Sequence, residues 1–338
     1  MFLLREVFPG DLDGLLAVAE HLDTVNLPND RGVLEHLIER SQRSFGEQLP
    51  LIEREYIFAL FDGERLIGTS MVHAQHGTRR SPHIFFDVMK DERYSESLDK
   101  HFVHTVLRIG YNYDGPTEIG GLILLPEYRR HEIALGRCLS YVRFLYISLH
   151  RPLFRDEVIS ELLPPLEPDG TSRLWEALGR HFTGMSYQEA DRISKTNKEF
   201  IRTLFPHEPI YMCLMPKDVQ ELIGVVGPET RGVEKMLRRI GFEYAERIDP
   251  FDGGPHFIAR TNDITLVRDM RRARVSAVAA VPDATWSGGL VSVERAEQPR
   301  FAAVPARFRL EGGEVALSEE TRRELGVAAG EEVGVLPF

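Results

Sequence analysis

Two kinds of apolar pattern alternate along the chain. Leu12, Leu15, Leu16 and Ala19 fall on one helical stripe, and Leu34, Leu37, Ile38 and Phe45 fall on a second. Asp11 is placed to cap the first helix, and the loop Asn26-Leu27-Pro28-Asn29-Asp30 can cap the second. Short apolar runs predict strands at 2–7, 56–61 and 66–73, the last two joined by a hairpin turn at Asp62-Gly63. Residues 81–88 and 101–109 read as further strands of the same sheet. A strand is expected at 153–162, broken by Pro164, Pro165 and Pro168, then a short helix at 172–182 around Trp175 and Leu178. Residues 189–205 read as mostly helical and polar, and 206–216 as a loop with an apolar centre. Val233, Met236, Leu237 and Ile240 make a stripe on a helix over 229–241, followed by strands at 243–248 and 256–259.

Residues 117–149 join the two patterns and organise the rest. An apolar run at 120–125 is long enough for a buried strand, and Pro126-Glu127 ends it. A basic turn, Tyr128-Arg129-Arg130-His131, leads into a helix whose stripe is Leu135, Leu139, Val142, Tyr146 and Leu149. Such a strand–turn–helix can hold a phosphate. The first helical amides have no internal acceptor, the helix dipole favours an anion, and two guanidinium groups stand beside it. Solvated surface arginines are the alternative use of the same residues.

Composition narrows the function classes. Hydrophobic residues make up 43% and charged residues 28% of the 338, ordinary values for a globular protein. A net charge of -11 argues against general binding to nucleic acid or anionic membranes. Two cysteines, Cys138 and Cys213, give no disulfide framework and no metal-type spacing, which suits a reducing cytoplasm. The start of the chain lacks a signal-peptide pattern and no apolar run is long enough to span a membrane. A cytoplasmic protein is expected.

Pro126-x-Tyr128-Arg129-Arg130-His131, with Ala134-Leu135-Gly136 after it, resembles the acyl-CoA-binding motif of the GNAT acyltransferases, with two extra residues in the loop. Weaker blocks in a fixed order resemble one family within that group, the arginine N-succinyltransferases. They include Leu27-Pro28, Gly115-x-x-Glu118, Ser172-x-x-Trp175-x-x-Leu178-Gly179, Ala190-Asp191, Pro209-Ile210-Tyr211, Gly241-Phe242 and Phe251-Asp252-Gly253-Gly254-Pro255. The resemblance implies an α+β, GNAT-like fold with a mixed, mostly antiparallel sheet and a small β-rich C-terminal subdomain. Domains are expected at 1–265 and 299–338, with a linker or crossover at 266–298. The implied reaction is transfer of succinyl from succinyl-CoA to the α-amino group of arginine in arginine catabolism. No permanent cofactor or metal is expected; succinyl-CoA or another acyl-CoA is the cosubstrate. The expected partners are that ester and an amino acid or amine, with homo- or hetero-oligomers left open.

The resemblance carries a succinyl-CoA-contacting leucine onto Leu122. The family's proton-donating histidine lies in Ile-Gly-x-Val-His-Pro, which here is Ile223-Gly224-Val225-Val226-Gly227-Pro228, so glycine replaces it. A family Met-Arg-Gly segment is likewise Leu162-Leu163-Pro164. A relative with a different acyl donor or acceptor, or a non-catalytic CoA-binding relative, is therefore the alternative.

Acyl transfer from a thioester needs a neutral amine, donors for the oxyanion, and a proton for the leaving thiolate. Backbone amides of Leu122, Ile123 and Leu124 can bind the thioester oxygen, whether or not the side chains are plain core. Glu118, just before the central strand, can take the ammonium proton, or can serve as a salt bridge or cap. Tyr211, His207 and His256 are candidates to protonate the thiolate. Arg129, Arg130, Leu135 and Gly136 are candidate coenzyme contacts. Asp252 and Gly253 can receive the cationic end of an amino acid or form a structural turn.

Overall fold

The computed structural model describes residues 2–21, 27–79, 81–194, 197–279 and 281–338. The N-terminal part runs β1 (Phe2–Glu6), α1 (Leu12–Ala19), α2 (Arg31–Phe45), β2 (Glu55–Asp62) and β3 (Arg65–His73). There follow β4 (His83–Ser95), β5 (Lys100–Asn112), β6 (Thr117–Leu124), α3 (Leu135–Leu149) and β7 (Glu157–Glu161). Then come β8 (Ile210–Tyr211), β9 (Glu243–Ile248) and β10 (Pro255–Arg260). The remaining strands are β11 (Arg271–Val275), β12 (Ser287–Glu294), β13 (Phe301–Glu311), β14 (Glu314–Ala316) and β15 (Glu332–Pro337). Two compact units result, each built from separated stretches: 1–75, 117–156 and 260–338 in one, 76–116 and 157–259 in the other.

In the first unit the strands run β12-β15-β11-β14-β13-β1-β2-β3-β6. The class is the expected α+β, in the GNAT-like order of strand, two helices, hairpin, central strand and helix. β11 and β14 are parallel, whereas the β1–β2, β2–β3 and β3–β6 ladders are antiparallel. α1 packs on β3, α2 on β2, and α3 on β2, β3 and β6. Every residue of β2 from Glu55 to Phe61 is buried, because helices cover one face and aromatic rings fill the space between. Phe45, Phe58 and Phe301 surround Tyr146 with ring centroids 5.2–5.4 Å apart. Burial of side chains of this size contributes about 1.5–3 kcal/mol each.

β12 also pairs with β13, so β12, β15, β11, β14 and β13 close into a five-stranded ring. Val291, Val304, Val315, Leu317, Leu325 and Val335 fill it. Closure removes the exposed edges that five short strands would otherwise present. β11 and β12 lie inside the stretch expected as linker; its Ala280 is outside the described residues. Gly289 suits the close pairing of β12 with β15, since a Cβ there would lie 2.0 Å from Leu336 O.

The second unit carries strands in the order β7-β10-β9-β4-β5-β8. β4 and β5 are longer than their apolar runs, pairing without a break from His83↔Asn112 to Ser95↔Lys100. Their outer halves are exposed to solvent, Met89, Tyr94, Phe102 and Val103 included, and the ladder rather than burial holds them extended. The loop expected at 206–216 contributes β8, which pairs with β5. Trp175 is fully buried and stacks on Phe251 at 5.1 Å. The strand expected at 153–162 is confined to β7, because Pro152 sits in a one-turn helix at Arg151–Leu153. The helical stretch 189–205 is two helices, Tyr187–Ser194 and Glu199–Leu204; Lys195 and Thr196 are outside the described residues.

One expected cap forms: Asp30 accepts the Val33 N–H at the start of α2; Asn26 is outside the described residues. Ser318 likewise accepts the Thr321 N–H ahead of the helix Glu319–Leu325. Asp11 instead turns away from α1 to accept the Phe8 N–H and pair with Arg5 at 2.7 Å.

Candidate active site

Gly120-Gly121 in the middle of an apolar strand is the local feature that shapes the first unit's site. Thr69 of β3 pairs with Ile123, but Met71 pairs with Gly120. Gly121 and Leu122 therefore stand opposite Ser70 alone, a bulge in β6. Gly121 has φ +55°, and a Cβ there would lie 2.5 Å from Met71 Sδ. Only glycine meets both demands without strain. Thr69 Oγ1 donates to Gly121 O at 3.0 Å and holds the bulge from the neighbouring strand. A bulge frees main-chain groups from the regular ladder.

Leu122 is half-buried at the bulge, while Ile123 and Leu124 are 3% and 8% exposed. Glu118, three residues before Gly121, is 5% exposed and pairs with His73 across the ladder. The chain then turns through Pro126–Tyr128, where the Tyr128 hydroxyl donates to Asp62 at 3.0 Å. The two extra residues are absorbed by successive turns, with His131 N–H bonded to Tyr128 O and Ala134 N–H to His131 O. Ala134 adopts the left-handed conformation, φ +53°, immediately before α3. An alanine has no side chain to cap the helix, so a bound anion can serve its first amides.

Arg129 and Arg130 are exposed beside this helix start. Arg129 Nε donates to Leu124 O at 3.1 Å, which fixes the side chain along β6. Leu135 is buried, and the Cβ absent at Gly136 would sit 3.7 Å from Leu124 Cδ2. The structure thus brings Glu118, Leu122, Ile123, Leu124, Arg129, Arg130, Leu135 and Gly136 together along β6 and the start of α3.

A residue missed in the sequence is Arg143 on α3. It is 2% exposed, yet its guanidinium bonds to neutral acceptors: Ser140 O at 2.9 Å, Ser140 Oγ at 2.8 Å and Gly120 O at 3.3 Å. Burial lowers its pKa to about 9. It stays charged at neutral pH and braces the strand one residue before the bulge. An arginine inside an otherwise apolar helical stripe was the available signal.

The other candidates lie in the second unit. Tyr211 on β8 donates its hydroxyl to Asp91 and accepts from Arg93 at 3.1 Å. Asp252 lies in a turn where Asp249 Oδ1 accepts the Phe251 and Asp252 N–H groups and Asp252 Oδ1 accepts Gly254 N–H at 2.7 Å. Gly253 has φ +83° there. Burial raises the pKa of Asp252 well above the usual carboxylate range. Gly227 donates its N–H to Leu163 O at 2.8 Å. No helix among the described residues is long and apolar enough to cross a membrane.

A family model described as arginine N-succinyltransferase beta subunit matches residues 2–266. The chain is 29% identical over 340 residues to the arginine N-succinyltransferase subunit beta of Pseudomonas aeruginosa, covering 99% of this chain and 98% of that one. It is 30% identical over 344 residues to the arginine N-succinyltransferase of Yersinia pestis, covering 99% and 97%. The solved arginine/ornithine succinyltransferase subunit AI from Pseudomonas aeruginosa superposes with a TM-score of 0.83 at 28% identity, covering 100% and 98%. The chain belongs to the arginine N-succinyltransferase beta subunit family.

Proposed function

We propose that the chain is an acyl-CoA-dependent N-acyltransferase that moves succinyl from succinyl-CoA to the α-amino group of arginine. The observation that carries the reading is the bulge at Gly121-Leu122, set beside an α3 start flanked by Arg129 and Arg130. Family membership supplies the acyl group and the acceptor.

Arg129, Arg130 and the first amides of α3 take the diphosphate, which meets both donor geometry and opposite charge. Leu135 and Gly136 form the floor under it. The pantetheine arm runs along Leu122, Ile123 and Leu124. Main-chain N–H groups at the bulge receive the thioester oxygen as it becomes an oxyanion; a donor of this kind is worth roughly 10²–10³ in rate. Glu118 takes the proton that the attacking amine sheds, directly or through water. The nitrogen forms its bond to the acyl carbon, the tetrahedral intermediate collapses, and the carbon–sulfur bond breaks to release the thiolate. Subunit naming among the relatives supports an oligomer.

A second reading, a changed acyl donor or acceptor, is favoured by Gly227 and Leu163 at the positions of the family histidine and arginine. The test is thiol release from succinyl-CoA with a panel of amino acids. Turnover with arginine is expected. Silence with both arginine and ornithine, alongside turnover on another amine or ester, would replace the first reading with the second.

A further inference from the structure

Glu161 closes β7 among histidines. His83 Nε2 lies 2.9 Å from Glu161 Oε1, and His256 Nε2 lies 3.4 Å from the same oxygen. The two rings are near parallel, 23° apart in tilt with centroids 5.2 Å apart. His76 meets His83 edge-on at 4.6 Å. His76, His83 and Glu161 each offer one ligand atom, all within 4.8 Å of one another, and so do Glu161, Asp249 and His256. His256 is fully buried and His83 is 2% exposed, while the Glu161 side chain is 29% exposed and His76 half-buried. All five residues belong to the second unit and come from separate segments: the loop before β4, the first residue of β4, the end of β7, the end of β9 and the start of β10.

Glu161 and Asp249 thus set two carboxylates against three imidazoles in a small, largely dry site. As neutral rings around a cation, all three are favourable, and imidazole with carboxylate is the donor set of zinc-class ions. We propose that His76, His83 and Glu161 hold one divalent transition-metal ion, with His256, which meets the same Glu161 oxygen, and Asp249 packed beside the carboxylate. Zinc bonds of about 2.0–2.2 Å set ligand atoms roughly 3.4 Å apart. The 2.9 Å contact therefore opens on loading and the wider ones close. Entry is past His76 and the exposed side of Glu161. The ion clips the starts of β4 and β10 to the end of β7; acyl transfer by direct amine attack does not require it.

The full-length protein, stripped with chelator and dialysed against zinc chloride, is examined by elemental analysis, competition with a chromophoric chelator, and thermal unfolding. About one zinc per chain is expected, with a higher Tm on loading. His76→Ala should weaken binding at least about 10-fold while the apo protein keeps its Tm, because His76 is at the rim. His83→Ala should abolish stoichiometric loading; should it fail to fold, His76→Ala still decides. Substoichiometric zinc in the wild type, or unchanged affinity in His76→Ala, overturns the proposal. Zinc bound equally by the exposed-residue control His36→Ala and the wild type, but lost in His76→Ala, supports it.

Discussion

The N–H of Gly227 bonds to the carbonyl oxygen of Leu163 at 2.8 Å, and this contact closes off the space a side chain at 227 would need. A Cβ there would lie 2.6 Å from Pro164 O and 2.8 Å from Leu163 O. Both obstacles are backbone, so neither yields cheaply. Restoring the family residue by Gly227→His should lower stability by about 1–3 kcal/mol and should not raise turnover. Thermal unfolding with succinyl-CoA turnover checks both; a stable and faster variant would show that the main chain at 163–164 moves aside.

Gly121→Ala places a methyl group against Met71 at a left-handed φ. The expected cost is about 1–3 kcal/mol from crowding, with roughly 1–2 kcal/mol more from backbone strain. Since the same shift withdraws main-chain donors from the bulge, kcat should fall at least about 10-fold. Denaturant unfolding and steady-state kinetics separate the two effects, and an unchanged kcat would dissociate the bulge from oxyanion binding.

Arg129→Ala and Arg130→Ala should raise KM for the acyl-CoA about 10-fold each, with kcat little changed, because the diphosphate is bound alike in ground and transition states. The dependence of KM on ionic strength should weaken in parallel. Kinetics at two salt concentrations suffice, and a loss confined to kcat would place these arginines elsewhere.

Arg143→Met removes a buried charge whose bonds go to neutral oxygens. Replacing such a group by an apolar one of similar length is often neutral for stability, so the midpoint should move by no more than about 1 kcal/mol. Gly120 loses its brace, however, and kcat should drop. A large fall in stability with normal kcat would mean that Arg143 serves packing alone.

The two thiols should differ sharply. Cys213 is exposed, whereas Cys138 is buried, donates to Ile133 O, and has its pKa pushed up to about 12 by desolvation. Maleimide at neutral pH should modify Cys213 rapidly and Cys138 only after unfolding. Mass spectrometry of the labelled protein reads this directly.

What the sequence conveyed was local order. The stripe from Leu135 to Leu149 and the strand at 243–248 both follow from neighbours a few residues apart, and both are present. β11 and β12 were not legible, because the arginine-rich β11 and the Gly- and Ser-containing β12 gain meaning only inside a closed ring whose other members lie up to 66 residues away. The paired glycines at 120–121 did carry a bulge signal, but the register shift that proves it depends on Met71. Glu161 with His83 and His256 lay furthest from view: 78 and 95 residues separate the histidines from the carboxylate in the chain.

The strand β1 is held between β2 on one side and β13 on the other, with Leu4 opposite Ala303. During synthesis its first neighbour emerges soon after it, but its second is made almost 300 residues later. A nascent chain therefore carries a half-satisfied hydrophobic border through most of translation, at ordinary speeds for some tens of seconds. That side of β1 therefore completes its pairing only when the ribosome has nearly finished the chain.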